Sequence, residues 1–533
     1  MAEDRWQPAA EDTRIQIRGS CHFESSEYAQ MRVKTNSRSQ FSADLKENLK
    51  LAGVRSVFPG DQNYASASKA YNLRFTFSPA AVTFPTTPGQ VASVVKAAHN
   101  DNYNVVPRGG GHSYVANGLG GKNGSVVVDM SSMKAMKFFI TTNTAVIETG
   151  NRLGDVALAL NAVGRALPHA FGGYGFTSRQ WGLALDPIFA INAVLADGTI
   201  VRATKASHPD LFWSLKGAAP SFAITTSIEV NTFAAPSYAT VIKYVWKDMD
   251  STTAGKSMFS FQEFSLSGPA APFAGELLLT RGSKNGSVTF GFVGAWYGAK
   301  GSAIPAMQPW LDKMPKPSTS ELIGNGSYID SVAHLSATPL NTSSAPLTTD
   351  TFYAKSLMTP EKDPMTLEAC TSFMEYLSTK GFSSKTDWFA QVELYGGPHS
   401  KISEFANDAT SFLRRDTLFT FQLYASSSTH KPPYPEEGFS FLDGMADSVT
   451  LKMHSGWNYG AYPNYIDERL HNWQLRYFGA NYRRLQSIKD KLDPHNIFMF
   501  PQSIELTKNV TSPEPTPIFV QDSDQDSFDI STT

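Results

Sequence analysis

The densest cluster of chemistry-bearing residues in the chain is Pro107-Arg108-Gly109-Gly110-Gly111-His112-Ser113-Tyr114. Consecutive glycines permit a tight turn with exposed backbone N–H groups, the device by which a loop closes on a phosphate or another anionic group. The spacing is neither a Rossmann fingerprint nor a P-loop. Local spacing alone leaves a second reading open, a glycine-rich turn whose histidine is merely hydrogen-bonded. The other histidines, including His22, His208, His399 and His454, show no metal-ligand spacing. Asp522, Asp524 and Asp526 imitate the start of a calcium loop, but no glycine or closing glutamate follows where such a loop needs them.

Regular elements must hold this loop. Thr87 and Pro88 supply an N-cap and a first-turn proline, and Val91, Val94, Val95 and Ala98 follow at helical spacing. Tyr103 to Val106 reads as a short buried strand feeding the loop, and Val126 to Asp129 as another, so this region alternates helix and strand. A strand from Ala145 to Thr149 and a helix bearing Leu153, Val156, Ala157 and Leu160 continue the pattern. Ile191 to Leu195, the turn Ala196-Asp197-Gly198 and Thr199 to Arg202 predict a hairpin. Asp210 is expected to cap a short helix, and Phe222 to Val230 to form a strand. Beyond Pro236 the segments lengthen and alternate, as at Thr240–Trp246, Val288–Val293 and Trp388–Tyr395, which fits a large antiparallel sheet. A single helix from about Glu468 to Lys491 is expected to close the folded part, stopped by Asp493-Pro494.

Composition narrows the function classes. At 533 residues with 41% hydrophobic and 18% charged content, the chain is too apolar for a disordered protein. Its net charge of -2 gives no global attraction for nucleic acid or anionic lipid. Two cysteines, Cys21 and Cys370, exclude a disulfide framework and cannot complete a structural zinc site. No apolar run is long enough to span a membrane.

The loop Arg108 to Tyr114 resembles the flavin-attachment motif of the vanillyl-alcohol-oxidase superfamily. Tyr462-Pro463-Asn464-Tyr465-Ile466-Asp467, Tyr477 to Leu485, Asp493 to Phe498 and Gln502-Ser503-Ile504 resemble the closing segment of its berberine-bridge-enzyme-like branch. Asn231 to Pro236 and Pro433 to Phe439 are similar to fungal glucooligosaccharide oxidases. The resemblance implies an α+β fold: a PCMH-type FAD-binding domain of two subdomains over residues 44–236 and a substrate domain over 237–455 with a large antiparallel sheet flanked by helices. It also implies a C-terminal segment over 456–505 that returns to the FAD domain, between an irregular extension (1–43) and a disordered tail (506–533). It further implies an FAD-dependent oxidase in which a sugar hemiacetal or other alcohol gives hydride to flavin N5 and O2 reoxidises the flavin to yield H2O2. Tyr465 takes the place of the family's catalytic tyrosine, and Glu393 stands where the sugar oxidases carry an aspartate. His112 would bond to the flavin, and Arg108, Gly109, Gly110, Gly111, Ser113, Ile224, Tyr462 and Asn464 would surround it. Tyr114, Gln391 and Gln422 match sugar-contacting positions. Expected partners are an oligosaccharide or metabolite alcohol and O2, with no nucleic acid or membrane, and the chain is expected to act as a monomer. The family implies an extracellular protein, whereas Met1 to Ser20 lack the apolar segment of a secretory signal.

Two stretches depart from the family pattern. Only Ala170 and Phe171 separate His169 from Gly172, where relatives carry a glycine-rich segment that, in bicovalent members, holds a second, cysteinyl flavin bond. Lys216 to Ile224 contains Ala218, Ala219, Pro220 and Ala223 where the family prefers glycine. Two readings follow: an oxidase whose FAD is linked through His112 only, or a degenerate member that keeps the fold and binds flavin weakly or not at all. A tailoring oxidoreductase of secondary metabolism is the alternative for substrate.

Overall fold

Thr87 caps the helix Pro88–Asn100 by accepting a 3.2 Å hydrogen bond from the Gln90 amide, and Pro88 occupies the first turn, where no amide partner is needed. Val91, Val94, Val95 and Ala98 are fully buried on one face of this helix. They cover a four-stranded sheet in which Val126–Asp129 lies between Ala81–Phe84 and Val105–Arg108, parallel to both, with Arg55–Val57 antiparallel at the far edge. Val126, Val127 and Val128 have no exposure at all, as a parallel strand packed on both faces requires. Residues 37–168, 173–336, 339–342 and 349–509 are described in this computed structural model. The expectations for Cys21 and His22, for the Ala170-Phe171 junction and for the aspartate-rich tail lie outside them.

A second, five-stranded antiparallel sheet follows, ordered Met136–Phe139, Thr144–Glu148, Ile224–Asn231, Ile188–Val194 and Ile200–Thr204. The expected hairpin forms its edge: Gly198 adopts φ 80°, and the Asp197 carboxylate accepts from the Thr199 amide. The remainder is built on a seven-stranded antiparallel sheet. Its order is Thr319–Gly326, Ala239–Asp250, Ser287–Trp296, Phe273–Arg281, Thr386–Leu394, Thr417–Ser427 and Phe352–Pro360. Leu277, Phe290, Phe292, Ala390, Val392, Phe419 and Phe421 share a core with residues of the helices Ser251–Leu266, Leu367–Ser383 and Glu437–Thr450. Each fully buried large side chain there contributes about 1.5–3 kcal/mol.

The structure corrects several boundaries. A helix already runs over Ser37–Leu51, ahead of the expected start of regular structure at Asp44. Asp210 does not cap its helix. The helix begins at Pro209 after His208, and Asp210 pairs with Arg484 instead. The single closing helix is broken into a π turn Gln474–Phe478, a 3-10 turn Gly479–Asn481 and an α-helix Tyr482–Leu492. Gly479 explains the break: it takes φ 48°, and a Cβ there would meet the Leu413 side chain at 2.3 Å. Order also extends past Glu505. Leu506 is buried, and Asp490 accepts from the amide and hydroxyl of Thr507.

The C-terminal segment packs against the first subdomain. Ile497 and Phe498 join the core that holds Val105 and Val126, and the Ile497 carbonyl accepts from the Val105 amide. A fully buried ion pair fixes this return: Lys489 Nζ contacts Asp493 Oδ2 at 2.7 Å and donates to the carbonyls of Ser221 and Phe498. Asp493 in turn accepts from the amides of Ile497 and Phe498. Replacing Lys489 with Met is therefore expected to leave an uncompensated buried carboxylate and to lower unfolding stability by about 3–5 kcal/mol. Urea denaturation checks this, and a loss below about 1 kcal/mol would show that the clasp carries little.

Candidate active site

The glycine-rich loop leaves the end of the strand Val105–Arg108, and side-chain anchors hold it. Arg108 Nε donates to Asp129 Oδ2 at 2.6 Å across the parallel register, and its Nη1 to the Ala67 carbonyl at 2.6 Å. Asp129 itself bonds the Ser131 amide. Of the three glycines, only Gly111 needs its freedom, at φ 76°. Ser113 Oγ accepts from the Asn117 amide and tightens the turn. None of the backbone N–H groups from Gly109 to Tyr114 has a hydrogen-bond partner among the described residues. They border a cleft of about 340 Å³ lined also by Lys69, Lys134, Gly150 and Arg152. At Gly150 a Cβ would lie 1.9 Å from the Met130 carbonyl oxygen, so no other residue fits there.

This cleft suits a large anionic cofactor such as FAD. Unpaired amides and three cations oppose one carboxylate that is already committed to Arg108. His112 stands between the lining residues Gly111 and Ser113, with its ring centroid 4.7 Å from that of Tyr71, another lining residue. Partial desolvation and the Arg152 guanidinium hold the His112 pKa below the ordinary histidine value, which favours the neutral imidazole that a covalent bond to a cofactor would need. Three of the residues assigned to the flavin are not among the residues that line this cleft. Ile224 is fully buried in the core that holds Val126 and Phe498. Tyr462 and Asn464 are joined by a 3.1 Å hydrogen bond away from the lining of this cleft. Ala218, Phe222 and Ala223, from the glycine-poor stretch, pack in a core with Tyr477 and Leu485 of the C-terminal segment.

Beyond the loop lies the polar face of the seven-stranded sheet. Because side chains alternate, Gln391 and Glu393 share the face opposite to Ala390 and Val392. Register places Gln422 directly across from Gln391, and both Thr420 and Glu276 directly across from Glu393. Gln422 Nε2 donates to the Tyr114 hydroxyl at 2.6 Å, and Gln391 Nε2 to Glu276 Oε1 at 2.9 Å. Tyr465 enters from the C-terminal segment, its ring parallel to Tyr114 at 6.0 Å, and its hydroxyl donates to Glu393 Oε1 at 2.6 Å. Tyr465 is 2% exposed and Glu393 not at all.

Burial dominates the electrostatics here. Desolvation pushes the Tyr465 phenol well above its usual pKa, and the neighbouring Glu393 pushes it further. Glu393 is itself raised well above a free carboxyl by burial and then by Glu276, and burial moves Glu276 up to about 7. The free cysteine Cys370 is fully buried in the sheet-domain core, remote in role from the cleft, with its thiol pKa pushed up to about 12 by burial.

Three residues that the sequence reading missed help to build the site. Glu276 and Thr420 come from strands whose register no short motif reveals. The third, Asn72, is fully buried; its amide donates to the carbonyls of Tyr114 and Phe352, and its oxygen accepts from the Phe352 amide. It ties the glycine-rich loop to the edge strand of the large sheet.

Comparison with known proteins agrees with this geometry. The FAD binding domain profile matches residues 79–204, and the profile of berberine and berberine-like proteins matches 461–505. The chitooligosaccharide oxidase of Gibberella zeae is 34% identical over 84% of this chain and 91% of its own length. A solved chitooligosaccharide oxidase structure superposes with a TM-score of 0.80, at 33% identity over 87% of this chain and 99% of that one. The xylooligosaccharide oxidase of Thermothelomyces thermophilus is 31% identical over 87% of this chain and 94% of its own. A structure of glucooligosaccharide oxidase from Acremonium strictum, described as carrying a 6-S-cysteinyl, 8α-N1-histidyl FAD, has a TM-score of 0.78 at 28% identity, covering 87% of this chain and 99% of that one.

Substituting Asn72 with Leu is expected to strand the Tyr114 carbonyl and the Phe352 amide, while Arg74 Nε still serves the Phe352 carbonyl, and to cost about 2–4 kcal/mol of stability. A urea midpoint shifted by less than about 1 kcal/mol equivalent would remove Asn72 from this role.

Proposed function

Because the chain belongs to the FAD-linked oxidases with a berberine-bridge-like C-terminal segment, we propose that it oxidises the hemiacetal end of an oligosaccharide, with Tyr465 and Glu393 removing the hydroxyl proton. FAD, held at the glycine-rich loop, would supply the hydride acceptor, N5, with O2 as the final acceptor and H2O2 as the product. The observation that carries the proposal is the buried 2.6 Å hydrogen bond from Tyr465 to Glu393.

A phenol with a raised pKa is a poor base on its own. Tyr465 therefore acts as a relay: as its oxygen receives the substrate's hydroxyl proton, its own proton moves along the existing hydrogen bond to Glu393 Oε1. One O–H bond breaks and one forms at each step, and the net result is a protonated Glu393. This requires Glu393 to be ionised at the start of turnover. The glutamate is one methylene longer than the aspartate of the sugar oxidases this chain resembles, and that added length still leaves it within hydrogen-bonding reach of Tyr465.

Tyr114, held by Gln422, and Gln391, held by Glu276, offer an aromatic face and amide groups for a pyranose. His112 is the residue suited to hold FAD covalently, and a single link is favoured because Cys370 is sequestered in the core of the other domain. Its neutral imidazole leaves a nitrogen lone pair free for the bond. The weaker-binding reading draws on Pro220, which has no N–H to give in a stretch where relatives prefer glycine.

Purified protein is expected to be yellow and to release H2O2 with at least one of the chito-, xylo-, cello- or malto-oligosaccharides. Turnover of only non-sugar alcohols would overturn the substrate class, and a colourless folded protein would overturn the oxidase. Acid-precipitated wild type should stay yellow, whereas His112→Ala should release its flavin. Tyr465→Phe is expected to lower kcat by about 10²–10⁴-fold with flavin content retained.

A further inference from the structure

The strands Phe273–Arg281 and Thr386–Leu394 pair antiparallel with Glu276 directly opposite Glu393. Directly opposed residues on one sheet face have Cβ atoms roughly 4.5–5.5 Å apart, so the two carboxyl groups share one small volume. Both side chains are buried. No lysine, arginine or histidine among the described residues forms an ion pair with either. The buried Arg179 spends its donors on the carbonyls of Pro269, Ala270, Phe273, Gly396 and Pro398.

Two buried carboxylates side by side without a counter-ion cannot both be charged. The hydrogen bonds mark where a proton belongs. Glu393 Oε1 is taken by Tyr465 and Glu276 Oε1 by Gln391, while Glu393 Oε2 is buried with no partner. The Thr420 hydroxyl, opposite Glu393 on the other neighbouring strand, is also buried and unpartnered. A proton on the pair gives the orphaned oxygen a role as donor or acceptor.

We propose that Glu276 and Glu393 work as one buried acid holding a single proton between them, so that Glu276 is the positioning residue governing when Glu393 can accept a proton from Tyr465. This rests on the Tyr465–Glu393 relay proposed above. The other titratable groups facing Glu393 are phenols: Tyr395 on its own strand end, Tyr462 and Tyr465 from the C-terminal segment, Tyr114 from the glycine-rich loop and Tyr174 from beneath. All are raised by burial and stay neutral through the working range, so Glu276 is the group that can share a proton with Glu393. The sign follows. In the singly protonated pair Glu276 carries the proton while Glu393 is ionised, and sharing it stabilises that anion, so the acid limb of kcat/KM should lie below that of Glu393 buried alone, and removing the shared proton should move it up.

The test is the pH profile of kcat/KM for flavin-loaded wild type, Glu276→Gln and Glu393→Gln. Glu276→Gln is expected to shift the acid limb to higher pH by about one unit, a loss of about tenfold relative to its own plateau on that limb. Glu393→Gln should abolish the limb and most turnover. A limb unmoved in folded Glu276→Gln overturns this proposal while leaving the relay intact, whereas a limb and turnover that survive Glu393→Gln overturn the relay itself. Infrared difference spectra of the wild type across the limb provide a check that needs no variant to fold. Loss of one buried carboxyl band is expected; loss of none, or of two together, overturns the shared proton.

Discussion

In the strand Thr386–Leu394, Ala390 and Val392 turn into the helix-covered core while Gln391 and Glu393 turn the other way. That two-residue alternation is the constraint on which the site depends. Its neighbours repeat it in register, so Glu276, Thr420 and Gln422 reach the same face. A slip of one residue in any pairing would exchange the apolar and polar sets. The large aromatic core, with Phe261, Phe292 and Trp310 in mutual contact, therefore does more than stabilise the domain. By making every alternative register bury charge and expose phenylalanine, it fixes where the carboxylates stand.

The opposite wall of the site comes from distant parts of the chain. Tyr465 sits in a segment whose position is set by the Lys489–Asp493 clasp, and Tyr114 in a loop held by Asp129 and Asn72. None of these holding groups reaches the reacting atoms, yet each limits the freedom of one that does. Chemistry between rigidly held partners avoids reorganisation at the moment of proton transfer. A loop with bare amides on one side and a tyrosine packed against Tyr465 on the other joins the cleft to the proposed proton relay through Tyr114.

Much of the first subdomain was legible locally. Thr87, Pro88 and the valine spacing specify a helix without help from elsewhere, and Asp197-Gly198 specifies a turn. The glycine-rich loop was legible as a binding device from its composition, but its ligand was not; that came from family resemblance. The pairing of Tyr465 with Glu393 could not be read from spacing, because it joins residues 72 positions apart on different elements. Glu276 and Thr420 were invisible for the same reason, since register across strands is a tertiary property. The closing helix was misread because an unbroken apolar stripe outweighed Gly479, whose close approach to Leu413 only the folded chain displays.

The tie between Asn104 and Asn496 spans 392 residues and closes the edge of the first sheet with the last part of the folded chain. At roughly 5–20 residues per second, a ribosome needs about 20–80 s to make that stretch. Through that interval the first subdomain waits with an exposed strand edge and an unfilled place for Ile497 and Phe498. The sheet around Val105 is thus completed only after Asn496 has been made, and a polypeptide released before Tyr465 would lack both that closing edge and the tyrosine. Such a product offers an unpaired edge to quality control and lacks Tyr465.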